Sequence, residues 1–235
     1  MEGWIDDALM QKIAAENNLS ETAFFVREND RYQLRWFTPA VEVDLCGHAT
    51  LAAAYVLFEH LQHGDDRILF STQSGELSVT RNGSSIVMDF PSRPAAQVDV
   101  PKPLEKGLPG DIGRVYKSRD YMVVYDNEEI VRTMEPDFTE LGRLDCTGII
   151  ITAPGDEVDF VSRFFAPQAG ILEDPVTGSA HCTLAPYWSD RIGRPDLSAR
   201  QVSKRGGELS CRVVDDRVHI GGRAVLYSRG FLNVD

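Results

Sequence analysis

The sequence predicts an α+β protein with two pseudo-symmetric halves, each a mostly antiparallel sheet curled around one central helix. Three observations predict this fold. Short runs with strand-like alternation of apolar residues outnumber the helical runs. Two alanine-containing helices each begin at a glycine turn, and several motifs occur twice in the same order.

The repeated motifs are the most informative feature of the chain. The matching segments are 35–39 with 163–167, 47–49 with 178–180, and 74–79 with 206–211. Coincidence among short motifs is the alternative, but residue type, order and spacing all agree. A duplicated unit of strand, glycine turn, helix and hairpin predicts that both glycine turns line a cleft between the halves.

The first half is predicted over residues 1–92. An amphipathic helix over 4–17 has Asp6 and Asp7 in its first turn, and an almost wholly apolar helix over 48–62 forms the centre. Asn82-Gly83 indicates a tight hairpin. The predicted strands cover 22–26, 32–37, 67–71, 76–80 and 85–90.

Residues 93–110 are rich in proline and weakly patterned, which predicts a linker. The second half is predicted over 111–235, with its central helix beginning near Ser179. Its predicted strands cover 113–117, 121–125, 130–133, 148–152, 158–165, 208–214, 217–220 and 224–230.

Composition limits the possible partners. The chain has 235 residues, 43% of them hydrophobic, and a formal net charge of −12. This charge disfavours nucleic acid and anionic membranes, which bind clustered Lys and Arg. The acidic start lacks the features of a signal peptide, and no apolar run reaches membrane-spanning length, so we expect a cytoplasmic protein.

The Cys and His pattern gives little support for a metal. The four cysteines are dispersed, with no C-x-x-C pair, so reduced thiols are expected. His60 and His63 lie at the end of one predicted helix without a nearby carboxylate pair, and such residues are more often on the surface. We therefore expect no metal.

Both glycine turns are candidate anion sites. Glycine allows close approach of a ligand, and the first turn of a helix presents unpaired N–H groups at the positive end of its dipole. The N–H groups of Gly47, His48, Gly178 and Ser179 are thus expected to bind a small carboxylate. The alternative is that the glycines only permit close packing of helices and strands.

Three side chains are candidates for proton transfer. Glu21 lies between a helix end and an apolar strand, where it is either a polar loop residue or a general base. Asp174 could be a turn residue before Pro175, and His48 a first-turn residue bonded to a carbonyl. Together around an anion site, they suit proton transfer next to a carboxylate or carbonyl.

These motifs resemble the phenazine biosynthesis PhzF-like family, which has the diaminopimelate epimerase-like fold. The resemblance covers essentially the whole chain and rests on segments 18–24, 44–50 and 173–182. It implies a homodimer without metal or organic cofactor. Its best understood member isomerises dihydro-hydroxyanthranilic acid through a glutamate, which corresponds here to Glu21.

The resemblance also implies roles for other residues. His48 and Asp174 would be catalytic beside Glu21, and the glycine turns would hold a substrate carboxylate. The residues expected to bind substrate are Ser20, Gly47, Ala49, Gly178, Ser179 and Ala180.

Two departures from the family pattern bear on this expectation. The family usually begins with a strand and a Gly-Asn-Pro turn, whereas this sequence begins at the following helix. Either the start was lost or misassigned, or the first half is incomplete. The epimerase relatives use two facing cysteines. Here Cys46 has only Val176 and Thr177 at the equivalent place, which disfavours a two-thiol racemase.

The sequence therefore predicts a cofactor-independent isomerase that moves a proton on a small, possibly cyclic, carboxylic acid. The alternative is a catalytically inactive small-molecule-binding or interaction protein with the same fold. The presence of Glu21, His48 and Asp174 together favours the enzyme, because a binding protein has no need of a base beside its anion site.

Overall fold

The computed structural model describes residues 3–233 and contains one large mixed sheet with helices packed on it. The helices are α1 (Asp7–Asn17), α2 (Gly47–Glu59), α3 (Lys102–Gly107), α4 (Glu128–Thr133), α5 (Phe138–Leu141) and α6 (Gly178–Ile192). The strands of the first half are β1 (Thr22–Glu28), β2 (Arg31–Phe37), β3 (Glu42–Val43), β4 (Arg67–Thr72), β5 (Gly75–Asn82) and β6 (Ser85–Pro91). The later strands are β7 (Ala96–Gln97), β8 (Arg114–Lys117), β9 (Tyr121–Val124), β10 (Ile149–Pro154), β11 (Phe160–Ala166), β12 (Ile171–Asp174), β13 (Asp196–Gln201), β14 (Gly207–Val214) and β15 (Arg217–Gly222).

The order of strands in the sheet has the predicted pseudo-symmetry. It runs β1-β2-β4-β5-β6 and then, in reverse, β15-β14-β13-β11-β10, followed by β9-β8-β7. β2 is parallel to β4, as β11 is to β13, and the other pairs within these two series are antiparallel. The two series meet where β6 pairs antiparallel with β15, with Met88 opposite Ile220. The expectation of two similar halves is confirmed.

The two central helices share one hydrophobic core. Trp36 on β2 and Leu57 on α2 belong to the same cluster as Phe160 on β11 and Trp188 on α6, and all four are almost completely buried. A second cluster lies under the part of the sheet that contains β8 to β10, and it includes buried Leu104 and Leu108. The first cluster thus joins the halves through side chains as well as backbone pairing.

The helix ends follow the local sequence. The Asp6 side chain accepts hydrogen bonds from the N–H groups of Ala8 and Leu9 and thereby caps α1. α1 ends at Asn18 and α6 ends at Gly193, both in the left-handed conformation that stops a helix. No helix among residues 3–233 is long and apolar enough to cross a lipid bilayer.

Two predicted strands are wrong. Residues 130–133 lie in α4, because the Asn127 side chain accepts a hydrogen bond from the Ile130 N–H and starts a helix there. Residues 224–230 form no strand, and Val225 and Tyr227 are 86% and 98% exposed. Strand propensity alone does not produce a strand when no neighbouring strand pairs with it. The sequence reasoning also missed β3, β7, β12 and β13.

The proline-rich segment 93–110 contains β7 and α3. β7 pairs with β8, and Leu104 of α3 is fully buried in the second cluster. This segment therefore packs with the elements that follow it. The division of the chain at residues 92 and 110 remains a prediction.

Candidate active site

The first turns of α2 and α6 are in direct backbone contact. A Cβ atom on Gly47 would lie 2.9 Å from the Cα atom of Gly178, and a Cβ on Gly178 would lie 3.1 Å from the Cα of Gly47. Any larger residue at either position would collide with backbone. The predicted convergence of the two glycine turns is thus present in the structure.

This contact concentrates unpaired N–H groups at one place. The N-cap residues Cys46 and Thr177 make no side-chain capping bond. Within residues 3–233, the N–H groups of Gly47, His48 and 178–180 have no hydrogen-bond acceptor, and the Ala49 N–H faces the Cys46 thiol. Two positive helix ends that face each other attract an anion.

Glu21 and His48 form a close pair beside this contact. Glu21 Oε2 lies 2.7 Å from His48 Nε2. His48 Nδ1 lies 3.0 Å from the carbonyl oxygen of Val176, which belongs to the other half. Since a carbonyl only accepts, Nδ1 carries a hydrogen and donates it, and this leaves Nε2 to face the Glu21 carboxylate.

The surroundings of His48 favour its protonated form. Burial by itself lowers the pKa of His48, but Cys46, Glu21 and Asp174 outweigh this effect and raise the pKa well above its usual value. Glu21 and Asp174 supply negative charge, with Asp174 Oδ2 3.9 Å from His48 Nδ1. An imidazolium with a donor toward Val176 and a donor toward Glu21 fits this geometry.

Cys46 packs against the same imidazole. Its sulfur lies 3.9 Å from Nδ1 and 3.8 Å from Nε2 of His48. Burial raises the pKa of the Cys46 thiol, and the neighbouring His48 acts in the opposite direction. In the described part of the chain, Glu21, Cys46 and His48 are the one group of three side chains close enough to hold a metal ion, with ligand atoms within 4.8 Å of one another. Binding of a metal there requires the Cys46 thiol and the His48 imidazole to give up any proton on the ligand atom.

Asp174 is held at the end of β12 by a buried hydrogen-bond network. The Thr177 hydroxyl donates to Asp174 Oδ2 at 2.5 Å. Gln201 Nε2 donates to the Asp174 carbonyl at 2.6 Å, and Gln201 Oε1 accepts from the Thr177 N–H at 2.7 Å. Burial raises the pKa of Asp174, and its Oδ1 atom is buried without a partner among the described residues. Gln201 therefore fixes the turn that presents Asp174.

Equivalent ion pairs support the two glycine turns. Arg35 on β2 donates two hydrogen bonds to Glu42 on β3, at 2.7 and 2.8 Å. Arg163 on β11 donates two to Glu173 on β12, at 2.7 and 3.0 Å. The arginines are the first residues of the matching motifs 35–39 and 163–167, so the sequence contained this signal.

The second turns of the central helices are also equivalent. The Thr50 hydroxyl donates to the carbonyl of Cys46 at 2.5 Å, and His181 Nδ1 donates to the carbonyl of Thr177 at 2.8 Å. His181 is completely buried, and this burial lowers its pKa to about 4. It is thus a neutral structural residue at neutral pH.

A cavity of about 110 Å³ opens at the helix contact. Of the residues predicted to form the site, those lining this cavity are Glu21, Gly47, His48, Asp174, Gly178 and Ser179. Ala49 and Ala180 do not line it and are almost fully buried. Ser20 lines a separate surface depression with Glu173 and Pro175.

Sequence reasoning missed Asp44, Arg119 and Thr147, which also line the cavity. Asp44 lies within a motif that the sequence analysis singled out. Arg119 and Thr147 lie beyond the duplicated unit, where the repeat gives no signal.

The doubled sheet with one central helix in each half places this protein in the epimerase-like class of α+β folds. The chain belongs to the phenazine biosynthesis-like family (PhzC-PhzF), which it matches over residues 1–230.

Similar proteins are known in bacteria. Two uncharacterized isomerases of Pseudomonas aeruginosa are 50% and 51% identical to this chain, covering 100% and 98% of it and 90% and 88% of their own length. The crystal structure of a phenazine biosynthesis protein of the PhzF family from Enterococcus faecalis is 48% identical, with a TM-score of 0.96, and covers 100% of this chain and 90% of its own. The predicted family and fold are confirmed.

Proposed function

We propose that this protein is a cofactor-independent isomerase that moves a proton between two carbon atoms of a small carboxylic acid, with Glu21 as acid and base. The observation that carries the proposal is the 2.7 Å contact between Glu21 and His48 beside two converging helix starts. The isomerase names of its relatives support the same class of reaction.

We assign different tasks to the two oxygens of Glu21. Oε2 is buried against His48, so Oε1 is the oxygen left to face a substrate carbon. As the general base, Glu21 takes a proton from one carbon. The electron pair of the broken C–H bond delocalises toward the substrate carboxylate, and Glu21 returns the proton to another carbon. The reaction shifts a double bond and needs no external proton or electron.

The helix starts stabilise the charge that develops in this reaction. A carboxylate held by the N–H groups of Gly47, His48, Gly178 and Ser179 gains negative charge as the C–H bond breaks, and oriented backbone donors favour that charge. Asp174 lines the cavity, has a raised pKa and has a buried Oδ1 without a partner among the described residues, and it is proposed to contact a polar group of the substrate. The family resemblance is the basis for also proposing a homodimer.

Solvent deuterium incorporation tests the proposal. Protein would be incubated in D2O with a panel of small cyclic and acyclic unsaturated acids, including dihydro-hydroxyanthranilic acid, and the acids analysed by mass spectrometry. We expect deuterium at carbon with the parent protein and at least a 1000-fold slower exchange with Glu21→Gln, which lacks a base. Glu28→Gln, at the exposed far end of β1, is the matched control and should exchange normally.

The alternative of an inactive binding protein predicts a different result. An acid would then bind equally well to the parent and to Glu21→Gln, as measured by calorimetry, and no deuterium would appear at any carbon. That combination would exclude the isomerase proposal.

A further inference from the structure

The cavity has an unusual charge balance for a site that binds an acid. Three carboxyl side chains line it, those of Glu21, Asp44 and Asp174. Among the described residues that line it, Arg119 is the one Lys or Arg. An anionic ligand therefore depends on Arg119 for a full positive charge outside the Glu21–His48 pair.

Arg119 is held in place from one side. It lies in the turn between β8 and β9, and its side chain is 29% exposed. Its Nε lies 3.3 Å from both oxygens of Asp120, and its Nη2 donates to Asp120 Oδ2 at 3.0 Å. Asp120 is only 2% exposed, so the carboxylate that fixes the guanidinium is part of the rigid interior. A bidentate contact of this kind sets the orientation of the guanidinium plane.

Arg119 also connects to the start of α6. Its Nη2 donates a hydrogen bond to Ser179 Oγ at 3.2 Å. Because that oxygen accepts from Arg119 and makes no other hydrogen bond within residues 3–233, the Ser179 hydroxyl hydrogen is available to a ligand. Arg119 Nη1 likewise donates to no described residue.

The pseudo-symmetry of the two halves relates the Arg119–Ser179 pair to the Glu21–His48 pair. Ser179 occupies in α6 the position that His48 occupies in α2, directly after the glycine. His48 pairs with Glu21, whereas Ser179 pairs with Arg119. The start of α2 therefore lies beside the Glu21–His48 pair. The start of α6 carries the free hydroxyl of Ser179 and lies beside Arg119, whose Nη1 is also free within the described residues.

We propose that Arg119 is the specificity-determining residue that binds the carboxylate of the substrate together with the Ser179 hydroxyl. Arg119 Nη1 and Ser179 Oγ donate to the two carboxylate oxygens, and the N–H groups at the start of α6 complete the contact. This places the substrate carboxylate at the α6 side and turns its carbon skeleton toward Glu21. The inference rests on the proposed function for the identity of the substrate as an acid.

The binding of an acid and of its uncharged amide tests whether Arg119 recognises the carboxylate charge. The probes are cyclohex-1-ene-1-carboxylate and cyclohex-1-ene-1-carboxamide, titrated against the protein by ligand-observed NMR. We expect the parent to bind the acid more tightly than the amide. Arg119→Met should weaken binding of the acid by about 10- to 100-fold, because a charge-assisted pair of hydrogen bonds is lost, and leave the amide unchanged.

Two further variants show whether a weaker binding of the acid comes from the lost contact or from a folding defect. Arg119→Met combined with Asp120→Asn removes both charges, so that no buried carboxylate is left unpaired, and should show the same loss for the acid. Arg119→Lys keeps the charge without the planar donor pair and should show an intermediate loss. Arg212→Met, at a side chain that is 62% exposed, is the control and should bind like the parent.

The result separates this inference from the proposed function. Equal affinity of the parent for acid and amide, or an unchanged acid affinity in the Arg119 variants, would overturn the role of Arg119 even if Glu21-dependent exchange occurs. Loss of acid preference in those variants supports it even if no exchange occurs. With an exchanging substrate, Arg119→Met should raise KM and also lower the maximal exchange rate, because the carboxylate that it contacts gains negative charge as the C–H bond breaks.

Discussion

Asp174 is a carboxylic acid in surroundings that oppose its charge. Burial raises its pKa and nearby Glu21 adds to this effect, while His48 and Thr177 act in the opposite direction without cancelling it. A folded-state pKa above the unfolded value means that ionisation costs folding free energy as pH rises through the ordinary Asp range. Ionised Asp174 therefore lowers the free energy of unfolding, as buried functional groups often do.

Replacement of Asp174 should raise the stability of the protein and lower its activity. We expect Asp174→Asn to unfold at higher urea concentration at pH 7, with a gain of about 1 kcal/mol, and to lose this gain as pH falls toward 4. The Asn oxygen can still accept the hydrogen bond from Thr177. Deuterium exchange on the substrate should fall by about 10-fold or more, because the polarising carboxyl group is gone.

The control for this prediction is Asp99→Asn, at an exposed position. Asp99→Asn should change neither the stability in urea nor the rate of deuterium exchange. A stability gain of Asp174→Asn that is the same at pH 4 and pH 7 would contradict the electrostatic explanation.

At the scale of elements, the contact between α2 and α6 makes the site possible. Both helices start at a glycine because the backbones meet without room for a Cβ. The contact also brings His48 of one half to the carbonyl of Val176 in the other. Whatever separates the helix starts will therefore break the site across both halves.

Gly47→Ala tests this coupling. The added Cβ would lie 2.9 Å from the Cα of Gly178, so the helix starts must move apart. We expect a loss of about 1–3 kcal/mol in the free energy of unfolding, as in other overpacked interiors, measured by urea denaturation. Binding of the acid probe should also weaken.

Gly64→Ala is the matched control, since a Cβ at Gly64 would meet nothing within 4 Å. It should leave both stability and binding unchanged. If Gly47→Ala behaved in the same way, the close packing of the helix starts would have no importance for the site.

The elements also show what the sequence could predict and what it could not. The repeated glycine turns, with helices after them, predicted α2, α6 and most of the cavity, because glycine and N-terminal helical turns have local causes. Residues 130–133 were predicted as a strand because a short apolar run fits the residue spacing of a strand as well as that of a helix. The N-cap residue that decides for the helix, Asn127, lies outside that run. Arg119 depends on the packing of β8 and β9 against α6, a tertiary contact without a local signal.

At the scale of the whole molecule, the two halves share one sheet and one hydrophobic cluster. The pairing of β6 with β15 joins their sheets, and one hydrophobic cluster includes side chains from both. Trp36 lies in the first half and Trp188 in the second, and both are buried. We expect the two tryptophans to report the same unfolding transition.

Ile220→Val at the junction tests this expectation. Ile220 is 1% exposed and lies opposite Met88, so loss of one methyl group should cost about 1 kcal/mol. In single-tryptophan variants that retain either Trp36 or Trp188, fluorescence during urea denaturation should show the same shift for both. Val225→Ala, at an exposed position, should shift neither. A shift confined to Trp188 would mean that the halves unfold separately.

The junction between β6 and β15 also has a consequence for the time course of folding. It brings together Asp89 and Arg217, which are 128 positions apart along the chain. Closing so long a loop costs entropy before the strand pairing and packing compensate, and such non-local topologies fold slowly, on the order of milliseconds to seconds. On the ribosome, Glu21 and His48 emerge long before Asp174 and β15. The nascent first half therefore exposes the β6 edge until synthesis reaches β15, and chaperone protection during this interval would increase the yield of folded protein.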